Sequence, residues 1–366
     1  MSSGAVHKRP SIHDVANHAG VSAATVSKVM HGVPTVKPEN AQRVFEAVER
    51  LGYRADPLAS DLRRAKRRII GAILPEFESE FFGSMVTHLE RLAELRGYTL
   101  VAASSGESEE REAEILRRMQ DWRVAGVVLA PVRDEHGRGG ELMQAHGMTG
   151  VMIDRVLSDK SFDTVSADSL SASAEVAREL IGRGHRHVLV VGLGEQGACV
   201  RARLEGFRKT AEALDPKVRI DVILCESDVE PLRASIRDYF SRGERPTAVF
   251  SLFLKGTLVA LSEFRRRGWH CPDDISLVGF DDAEWMSVTW PTIAAVVQPV
   301  GQIAAQAMDM LFRRIDGETG PPTARLERCQ LLVRESVGAP SSGPHSGGGT
   351  GQCPRLSEPE MTPHSA

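Results

Sequence analysis

A glycine-rich run in the middle of the chain has the spacing of a nucleotide-binding loop. The segment VVGLGEQG places Gly192, Gly194 and Gly197 in a G-x-G-x-x-G pattern directly after a predicted strand. Such glycines let the backbone approach a pyrophosphate at the start of a helix. The pattern lies mid-chain, however, and the next predicted strand ends near Glu226, too far downstream for the usual ribose-binding acid. We therefore favour a glycine-rich loop over a dinucleotide site, and we predict no cofactor.

Residues suited to catalysis or metal binding are sparse. The sequence has no G-x-S-x-G, H-E-x-x-H or P-loop motif, and its acidic pair Asp281-Asp282 consists of sequence neighbours that would not face each other across a substrate. His185 and His187 in GHRH could bind a metal, but two histidines without further ligands are more typical of a loop before a strand. These patterns predict neither an enzyme nor a metal site.

The stretch GVSAATVSKV near the N-terminus combines small and hydroxylated residues with one lysine. Its hydroxyls could donate hydrogen bonds to phosphates or base edges, its lysine could donate to guanine O6 and N7, and its alanine methyl groups could contact a thymine methyl. The candidate DNA-binding residues of this stretch are Ser22, Ala23, Ala24, Thr25, Ser27 and Lys28. By themselves, these residues are equally consistent with an ordinary exposed helix.

Three short helices would position this stretch. Ser11 caps the first helix with Asp14 in the capping-box position, and Gly20 is its left-handed stop. The second helix follows after the short connection HAGV, and Pro38 opens a third helix that ends at Gly52. The inward residues of the third helix are Ala41, Val44, Phe45, Val48 and Leu51. This is a helix-turn-helix arrangement, in which the second helix lies in the DNA major groove.

The charge of the chain is unevenly distributed. The formal net charge is −4, yet residues 1–68 contain twelve Lys and Arg against six Asp and Glu, so a basic segment precedes an acidic remainder. A basic segment suits a polyanionic partner, although charge runs are also common on solvated surfaces. The five cysteines lack C-x-x-C spacing, which predicts reduced thiols, and no apolar stretch resembles a signal peptide or a membrane helix. We therefore expect a cytoplasmic protein.

From Ile69 onward, short β-branched runs alternate with amphipathic helical patterns. The candidate strands are RIIGAILP, TLVAAS, GVVLAP, GVMID, TVSA, HVLVVG, VILCE, AVFSL and ISLVGF. This alternation predicts parallel sheets with helices on both faces, and nine strands exceed one sheet of usual size. We predict an α/β body of two Rossmann-like lobes of the periplasmic-binding-protein type, with a ligand at the carboxyl ends of the strands. The chain should pass between the lobes near residues 155–165 and again near residue 290.

Longer motifs resemble one known family over nearly the whole chain. The segments IHDVANHAGVSAATVSKVMHG and RVFEAVERLGYRADPLASDLRR resemble the head of the LacI family of bacterial transcription repressors. The segments IIGAILP, FFGSM, VAGVVLAP, GHRHVLVVG, RLEGF, DISLVGFDD and VVQP continue the resemblance to about residue 336. The resemblance implies a regulator with an N-terminal three-helix helix-turn-helix head and a two-lobed periplasmic-binding-protein-like core. Its implied partners are a palindromic double-stranded DNA operator, a small-molecule effector and a second copy of the chain.

The resemblance adds candidate DNA contacts beyond the second helix. They are His31, Tyr53, Ala59 and Leu62. The family usually has arginine in place of Lys28 and asparagine in place of His31, which implies a different operator. Residues 57–68 would form a hinge that folds on DNA, with Leu62 as a wedge in the minor groove. The alternative is a flexible basic linker, and Asp61 departs from the family pattern in a way that weakens contact with phosphate.

The effector residues implied by the resemblance are spread over the body. They are Phe77, Ser79, Phe81, Phe82, Arg203, Phe253, Asp281 and Gln298. Arg203 would bind a carboxylate or vicinal hydroxyls, whereas Phe81 and Phe82 could be ordinary core aromatics. Phe253 and Leu254 stand where sugar-responsive members carry Asn-Asp, so buried sugar hydroxyls would lack partners. We expect either an effector that is aromatic or mixed apolar and anionic, rather than a simple sugar, or no effector.

These patterns divide the chain into four segments. We assign residues 1–56 to the DNA-binding head, 57–68 to the hinge, 69–337 to the core and 338–366 to a tail. The tail is rich in Gly, Ser and Pro and has no heptad repeat, which predicts a disordered segment and a dimer rather than a tetramer. The dimer would pair through the N-lobe helix from Phe82 to Leu95 and a matching C-lobe surface. We predict no membrane partner.

Overall fold

The computed structural model of the 366-residue chain covers most of the head and body. The described residues are 10–30, 35–53, 68–134, 137–155, 161–193, 197–225, 229–243 and 245–341. His31, Ala59, Leu62, Gly194 and the tail after residue 341 lie outside these ranges. The chain divides into two compact units: unit 1 runs to residue 167 and includes 299–327, and unit 2 comprises 168–298 and the residues from 328 onward.

Three helices form the N-terminal head. They are α1 (Ile12–Ala19), α2 (Ala23–Met30) and α3 (Pro38–Leu51). The predicted capping box is present, because the Asp14 N–H donates to Ser11 Oγ and the Ser11 N–H donates to the Asp14 carboxylate. Gly20 and Gly52 end α1 and α3 with φ of 63° and 61°, in the left-handed region that glycine favours. The head core consists of Val15, Ala16, Ala19, Val26, Val29, Val44 and Ala47.

Phe45 does not belong to this core. Its side chain is 56% exposed, so the prediction that it faces inward was wrong. Neighbouring residues of a helix are rotated by about 100° from each other, and α3 buries the stripe through Val44 and Ala47. Three short helices enclose only that narrow stripe, which leaves Phe45 outside it.

Unit 1 contains a six-stranded parallel sheet. Its strands are β1 (Ile69–Leu74), β2 (Thr99–Ser104), β3 (Gly126–Leu129), β4 (Gly150–Ile153), β5 (Asp163–Ala167) and β11 (Ala324–Glu327). They lie in the order β11-β5-β4-β3-β1-β2, and all neighbours pair in parallel. The helices are α4 (Glu80–Leu95), α5 (Glu109–Asp121), α6 (Arg138–Ala145) and α12 (Val300–Ile315). Strands β3, β4 and β5 are buried throughout, which is typical of a parallel sheet covered on both faces.

Unit 2 repeats this architecture with one difference. Its strands are β6 (His187–Leu193), β7 (Arg219–Cys225), β8 (Ala248–Ser251), β9 (Ser276–Phe280), β10 (Ala294–Val297) and β12 (Gln330–Leu332), in the order β12-β10-β9-β8-β6-β7. Its helices are α7 (Ser169–Gly182), α8 (Ala198–Leu214), α9 (Val229–Ser241), α10 (Leu254–Arg267) and α11 (Glu284–Val288). Only the β10–β12 pair is antiparallel within the described sheet. Among the helices described in either unit, none is long and apolar enough to cross a membrane.

The nine predicted strands are confirmed as β1 to β9. Strands β10, β11 and β12 were not predicted: β11 is largely exposed and β12 has only three residues, so neither forms a buried apolar run, whereas β10 is as short as β3 and nearly as buried and was missed. The chain passes between units after residues 167, 298 and 327, so both predicted crossings lie somewhat later and the third was missed. Gly338, the predicted start of the disordered tail, belongs to unit 2: its N–H donates to Ser276 Oγ at 3.0 Å.

Candidate functional site

The outward face of α2 carries the head residues expected to contact DNA. Val26 and Val29 anchor the opposite face of the helix in the head core. Ser22, Ala24 and Lys28 are therefore exposed, and no other described element covers them. A helix held by two buried valines and bearing small outer residues can approach a DNA groove closely.

The hydroxyls at the start of α2 also have a structural role. The Thr25 N–H donates to Ser22 Oγ at 3.2 Å, and the two hydroxyl oxygens lie 2.9 Å apart. Ser22 thus caps α2 as predicted, while both hydroxyls retain capacity for a phosphate oxygen.

The remaining described head candidates are less exposed. Ala23 and Tyr53 pack against the head core, and Ser27 is half-buried. The Tyr53 N–H donates to the Val48 carbonyl at 3.0 Å, and this hydrogen bond caps the C-terminal end of α3. These three residues stay predicted DNA contacts, but only the outer part of each side chain is accessible.

Four effector candidates lie at the start of α4 in unit 1. Ser79 caps this helix, since its Oγ accepts a hydrogen bond from the Phe82 N–H at 3.3 Å. Phe82 is buried, and its ring contacts Phe81 edge to face with 5.0 Å between centroids. The burial of Phe82 supports the core alternative for that residue. Phe77 is exposed and Phe81 half-buried, so these two aromatics can still meet a ligand.

The other four effector candidates meet at one edge of unit 2. Parallel strands β8, β9 and β10 all end there, and Phe253, Asp281 and Gln298 follow these strands directly or after one residue. Arg203 reaches the same edge from α8, because its guanidinium donates to the carbonyl of Leu252 at 2.6 Å. Ligands of open α/β sheets bind at the carboxyl ends of the strands. We call this group of side chains the unit-2 edge site.

Arg203 is a buried cation. It is only 5% exposed, its Nε lies 3.4 Å from Ser169 Oγ, and its guanidinium carbon lies 3.6 Å from the centroid of the Phe280 ring. In the ranges that the structure covers, no carboxylate forms a salt bridge with it. A guanidinium held by a carbonyl, a hydroxyl and an aromatic face keeps donors available for an anion.

Asp281 and Gln298 form a polar pair beside Arg203. Gln298 Nε2 donates to Asp281 Oδ1 at 2.5 Å. Asp281 has a φ of 73°, a left-handed conformation that is uncommon for a residue other than glycine and occurs often at functional sites. The next residue, Asp282, is occupied by a bidentate ion pair with Arg334 at 2.6 and 2.7 Å. The two adjacent carboxylates therefore have different roles, one facing the site and one structural.

Phe253 supplies an apolar wall rather than hydrogen bonds. It is half-buried against the unit-2 core, and its ring folds back over Gly256, where an added β-carbon would lie 2.7 Å from the ring. Gly256 thus allows the aromatic ring to lie close to the first turn of α10. Leu254 also packs against this core, so neither residue offers a partner to a ligand hydroxyl.

Cys329 is a site residue that the sequence did not reveal. Val297 pairs with Gln330 in the antiparallel β10–β12 ladder, which places Cys329 opposite Gln298. Burial raises the pKa of the Cys329 thiol to about 12, with opposing influences from Arg203 and Asp281. The thiol is therefore neutral and lies within electrostatic range of both charged side chains. The only signal was its place after a short exposed strand, which sequence patterns do not resolve.

Two family models match the chain. A model of bacterial regulatory proteins of the lacI family matches residues 11–56, and a model of a periplasmic binding protein-like domain matches residues 177–337. Catabolite control protein A of Priestia megaterium is 28% identical over 313 residues, covering 84% of this chain and 93% of that protein. The HTH-type transcriptional repressor PurR of Vibrio campbellii is 27% identical over 335 residues, covering 89% and 98%.

Solved structures share the fold. The lac repressor dimer bound to operator and the anti-inducer ONPF matches with a TM-score of 0.80 and 20% identity, over 91% of this chain and 100% of that chain. The transcriptional regulator CelR in complex with cellobiose matches with a TM-score of 0.67 and 24% identity, over 90% and 100%. A helix-turn-helix head joined to this α/β body defines a DNA-binding transcription regulator. The chain thus has a lacI-type head and a periplasmic binding protein-like domain, and the curated relatives named above are transcription regulators of similar length.

Proposed function

We propose that this chain binds a palindromic operator as a dimer and represses transcription under the control of a small-molecule effector. The observation that carries the proposal is the exposed outer face of α2, anchored by Val26 and Val29. A single head makes too few contacts for specific affinity, whereas two heads related by a two-fold axis read two half-sites. Lys28 is the outward side chain best suited to read a guanine edge.

Dimerisation would involve the body. The predicted surface on α4 retains exposed positions up to Leu95, although Phe82 is buried inside unit 1. Unit 2 exposes Val288 and Trp290, the latter by 93%, at the end of α11. Exposed apolar side chains of this size are typical of surfaces that another chain covers. We propose that these two surfaces pair with their counterparts on a second copy.

The effector would bind at the unit-2 edge site. Arg203 offers donors to an anion, and Phe253 and Leu254 make the neighbouring wall apolar. Buried hydroxyls of a sugar would lack partners along this wall, which favours an anionic ligand with an apolar part. Phe77 and Phe81, in unit 1, stay predicted effector contacts.

Regulation would follow from a shift between two states of the body. An effector that binds one state more tightly changes the population of that state. In this proposal the two states differ in the spacing of the two hinges, residues 57–68, and so in whether both Leu62 side chains can enter the minor groove together. In this proposal residues 1–56 form the DNA-binding head.

The proposal is tested by selecting bound duplexes from a random DNA pool with the full-length protein. The affinity for the selected duplex is then compared with the affinity for a scrambled duplex in anisotropy titrations. We expect a palindrome with a central pyrimidine–purine step and a large affinity ratio between the two duplexes. Enrichment of no sequence, or of a single asymmetric half-site, would overturn the proposed mode of binding. Sedimentation of the free protein, expected to give a dimer, checks the assembly separately.

A further inference from the structure

The amide of Gln298 leaves one buried hydrogen-bonding atom without a partner. Gln298 is 7% exposed, and its Oε1 has no donor among the residues that the structure describes. Buried polar atoms are almost always hydrogen-bonded, because an unsatisfied acceptor loses its hydration without compensation. An orphaned acceptor at a ligand-binding edge therefore indicates a donor that the ligand brings.

The orientation of this amide is fixed by its neighbour. Gln298 Nε2 donates to Asp281 Oδ1 at 2.5 Å. The reversed orientation would place the amide oxygen against a carboxylate oxygen, two acceptors in contact, so it is excluded. Asp281 in turn is held by its own backbone, since its N–H donates to the Val296 carbonyl at 3.0 Å. The free atom of the pair is thus an acceptor, not a donor.

Arg203, at the same edge of unit 2, requires an anion. Its guanidinium stacks on Phe280, the residue that directly precedes Asp281. It is buried and, among the described residues, its hydrogen-bond partners are the Leu252 carbonyl and the Ser169 hydroxyl. Neither neutral partner balances its charge. The site therefore offers a cation that requires an anion and an acceptor that requires a donor.

Cys329 is next to Gln298 but does not provide a strong hydrogen-bond donor for Gln298 Oε1. It lies opposite Gln298 in the extension of the β10–β12 pairing, and it is buried. A neutral thiol is a weak donor and does not bond Gln298 Oε1, which is left without a partner. Among the described residues no protein donor satisfies this oxygen, so it is open to a donor on the ligand.

We infer that the effector is a carboxylic acid that also carries a hydroxyl or amine donor, with its carboxylate on Arg203 and its donor on Gln298 Oε1. The inference rests on the proposed function of the unit-2 edge site. It goes beyond that function, because the proposed anionic and apolar character does not by itself require a donor. Acids without a donor would leave Gln298 Oε1 unsatisfied in the complex and would bind more weakly.

The test uses matched pairs of small acids on the full-length protein. Thermal-shift titrations compare propionate with lactate and alanine, and 3-phenylpropionate with 3-phenyllactate and phenylalanine, with glucose and 2-phenylethanol as neutral controls. In at least one series we expect a donor-bearing acid to bind about tenfold or more tightly than its matched acid. Equal affinity within both series, stronger stabilisation by a neutral compound, or no stabilisation by any acid would overturn the inference.

Two variants assign the contacts. Gln298→Met is expected to bring the affinity ratio between the donor-bearing acid and its matched acid close to one, whatever its effect on the two affinities themselves. Arg203→Met is expected to abolish binding of both acids. An advantage that persists in Gln298→Met would place the donor elsewhere and overturn the assignment. Because the wild-type comparison is complete without these variants, their misfolding would not remove the test.

The duplex selection described above is independent of these titrations. A selected operator together with no preference for donor-bearing acids would reject the ligand class and leave the regulator intact. Ligand preference without any selected operator would reject the regulator and leave the ligand class.

Discussion

The backbone carbonyl oxygen of Leu170 lies 2.1 Å from the position that a β-carbon on Gly206 would occupy. Helices α7 and α8 therefore cross with almost no separation at this point. Arg203 lies three residues before Gly206 on the same buried face of α8, and its Nε reaches Ser169, the first residue of α7. The close crossing thus brings the guanidinium to the unit-2 edge site.

Gly206→Ala is expected to destabilise the protein by several kcal/mol, because the new methyl group would overlap backbone that cannot rotate away. Urea unfolding measures the loss. Gly182→Ala is the matched control, since Gly182 lies in the last turn of α7 with nothing within 4 Å of an added β-carbon. That control should be neutral or stabilise by about 0.5–1 kcal/mol. Equal effects of the two substitutions would contradict the crossing.

Glu112→Gln is expected to change how stability depends on pH. Burial raises the pKa of Glu112 from 4.5 to about 7, and its Oε2 accepts a hydrogen bond from the Val132 N–H at 2.8 Å. The folded state therefore binds this proton more tightly than the unfolded state does. The contribution of Glu112 to stability is full below pH 4.5 and is lost as pH rises to about 7, a change on the order of 3 kcal/mol.

Glutamine keeps the acceptor for Val132 but does not ionise. The free energy of unfolding of Glu112→Gln should therefore increase relative to that of wild type between pH 5 and pH 8. Urea titration at each pH measures this difference. Glu114→Gln is the control on the same helix, because Glu114 is exposed and pairs with Arg118. A wild-type profile that stays parallel to the Glu112→Gln profile would show that Glu112 ionises without cost.

His185 should give the opposite pH dependence. Its Nε2 donates to the Gly338 carbonyl at 3.0 Å, and its Nδ1 lies 2.9 Å from the Thr247 hydroxyl, which is also 3.2 Å from the His187 carbonyl. Burial lowers the pKa of His185 below 6.5, and nearby Arg183 lowers it further. The stability that depends on the neutral ring is present above pH 6.5 and is lost as pH falls below that value.

In His185→Gln, the free energy of unfolding is expected to depend less on pH between pH 5 and pH 6.5. The substitution can also lower this free energy by a constant amount through lost packing. Urea titrations at several pH values separate the two effects, because only the first changes the slope with pH. His146→Gln serves as the control, because His146 is exposed at the end of α6. An unchanged slope in His185→Gln would mean that folding does not lower the pKa of the ring.

Lys28→Ala is expected to reduce specific binding more than non-specific binding. If Lys28 reads a guanine edge, the selected operator loses about 1–3 kcal/mol while a scrambled duplex changes little. Anisotropy titrations on both duplexes measure the difference. Lys209→Ala, which removes an exposed lysine paired with Glu205 on α8, is the control. Equal losses on both duplexes, with a shallower salt dependence, would assign Lys28 to a phosphate instead.

Leu62→Ala tests the predicted hinge wedge, which lies outside the described residues. Loss of the wedge should weaken binding to the selected operator, because the kink in the duplex is no longer supported. The salt-dependent affinity for scrambled DNA should remain, since it depends on the basic residues. Comparable losses on the two duplexes would contradict the wedge.

The sequence by itself determined the local features of this protein. Ser11, Asp14 and Gly20 set the ends of α1 through hydrogen bonds and backbone conformation within a few residues, so the capping box could be predicted. The nine strands β1 to β9 were likewise predictable, because buried parallel strands are continuous apolar runs. The resemblance to the LacI family implied Arg203 and Asp281 as effector residues, and the structure brings both to one edge of unit 2.

Only the tertiary structure decided which of the candidate side chains are exposed and which are buried. Phe45 is exposed and Phe82 buried because packing between elements, not periodicity alone, selects the enclosed stripe. Cys329 reaches Gln298 through an antiparallel strand of three residues, too short to leave a pattern in the sequence. The orphaned Gln298 Oε1 depends on the direction of one hydrogen bond to Asp281. Hydrogen bonds between residues distant in the chain are set by the folded geometry, and residue types alone do not specify them.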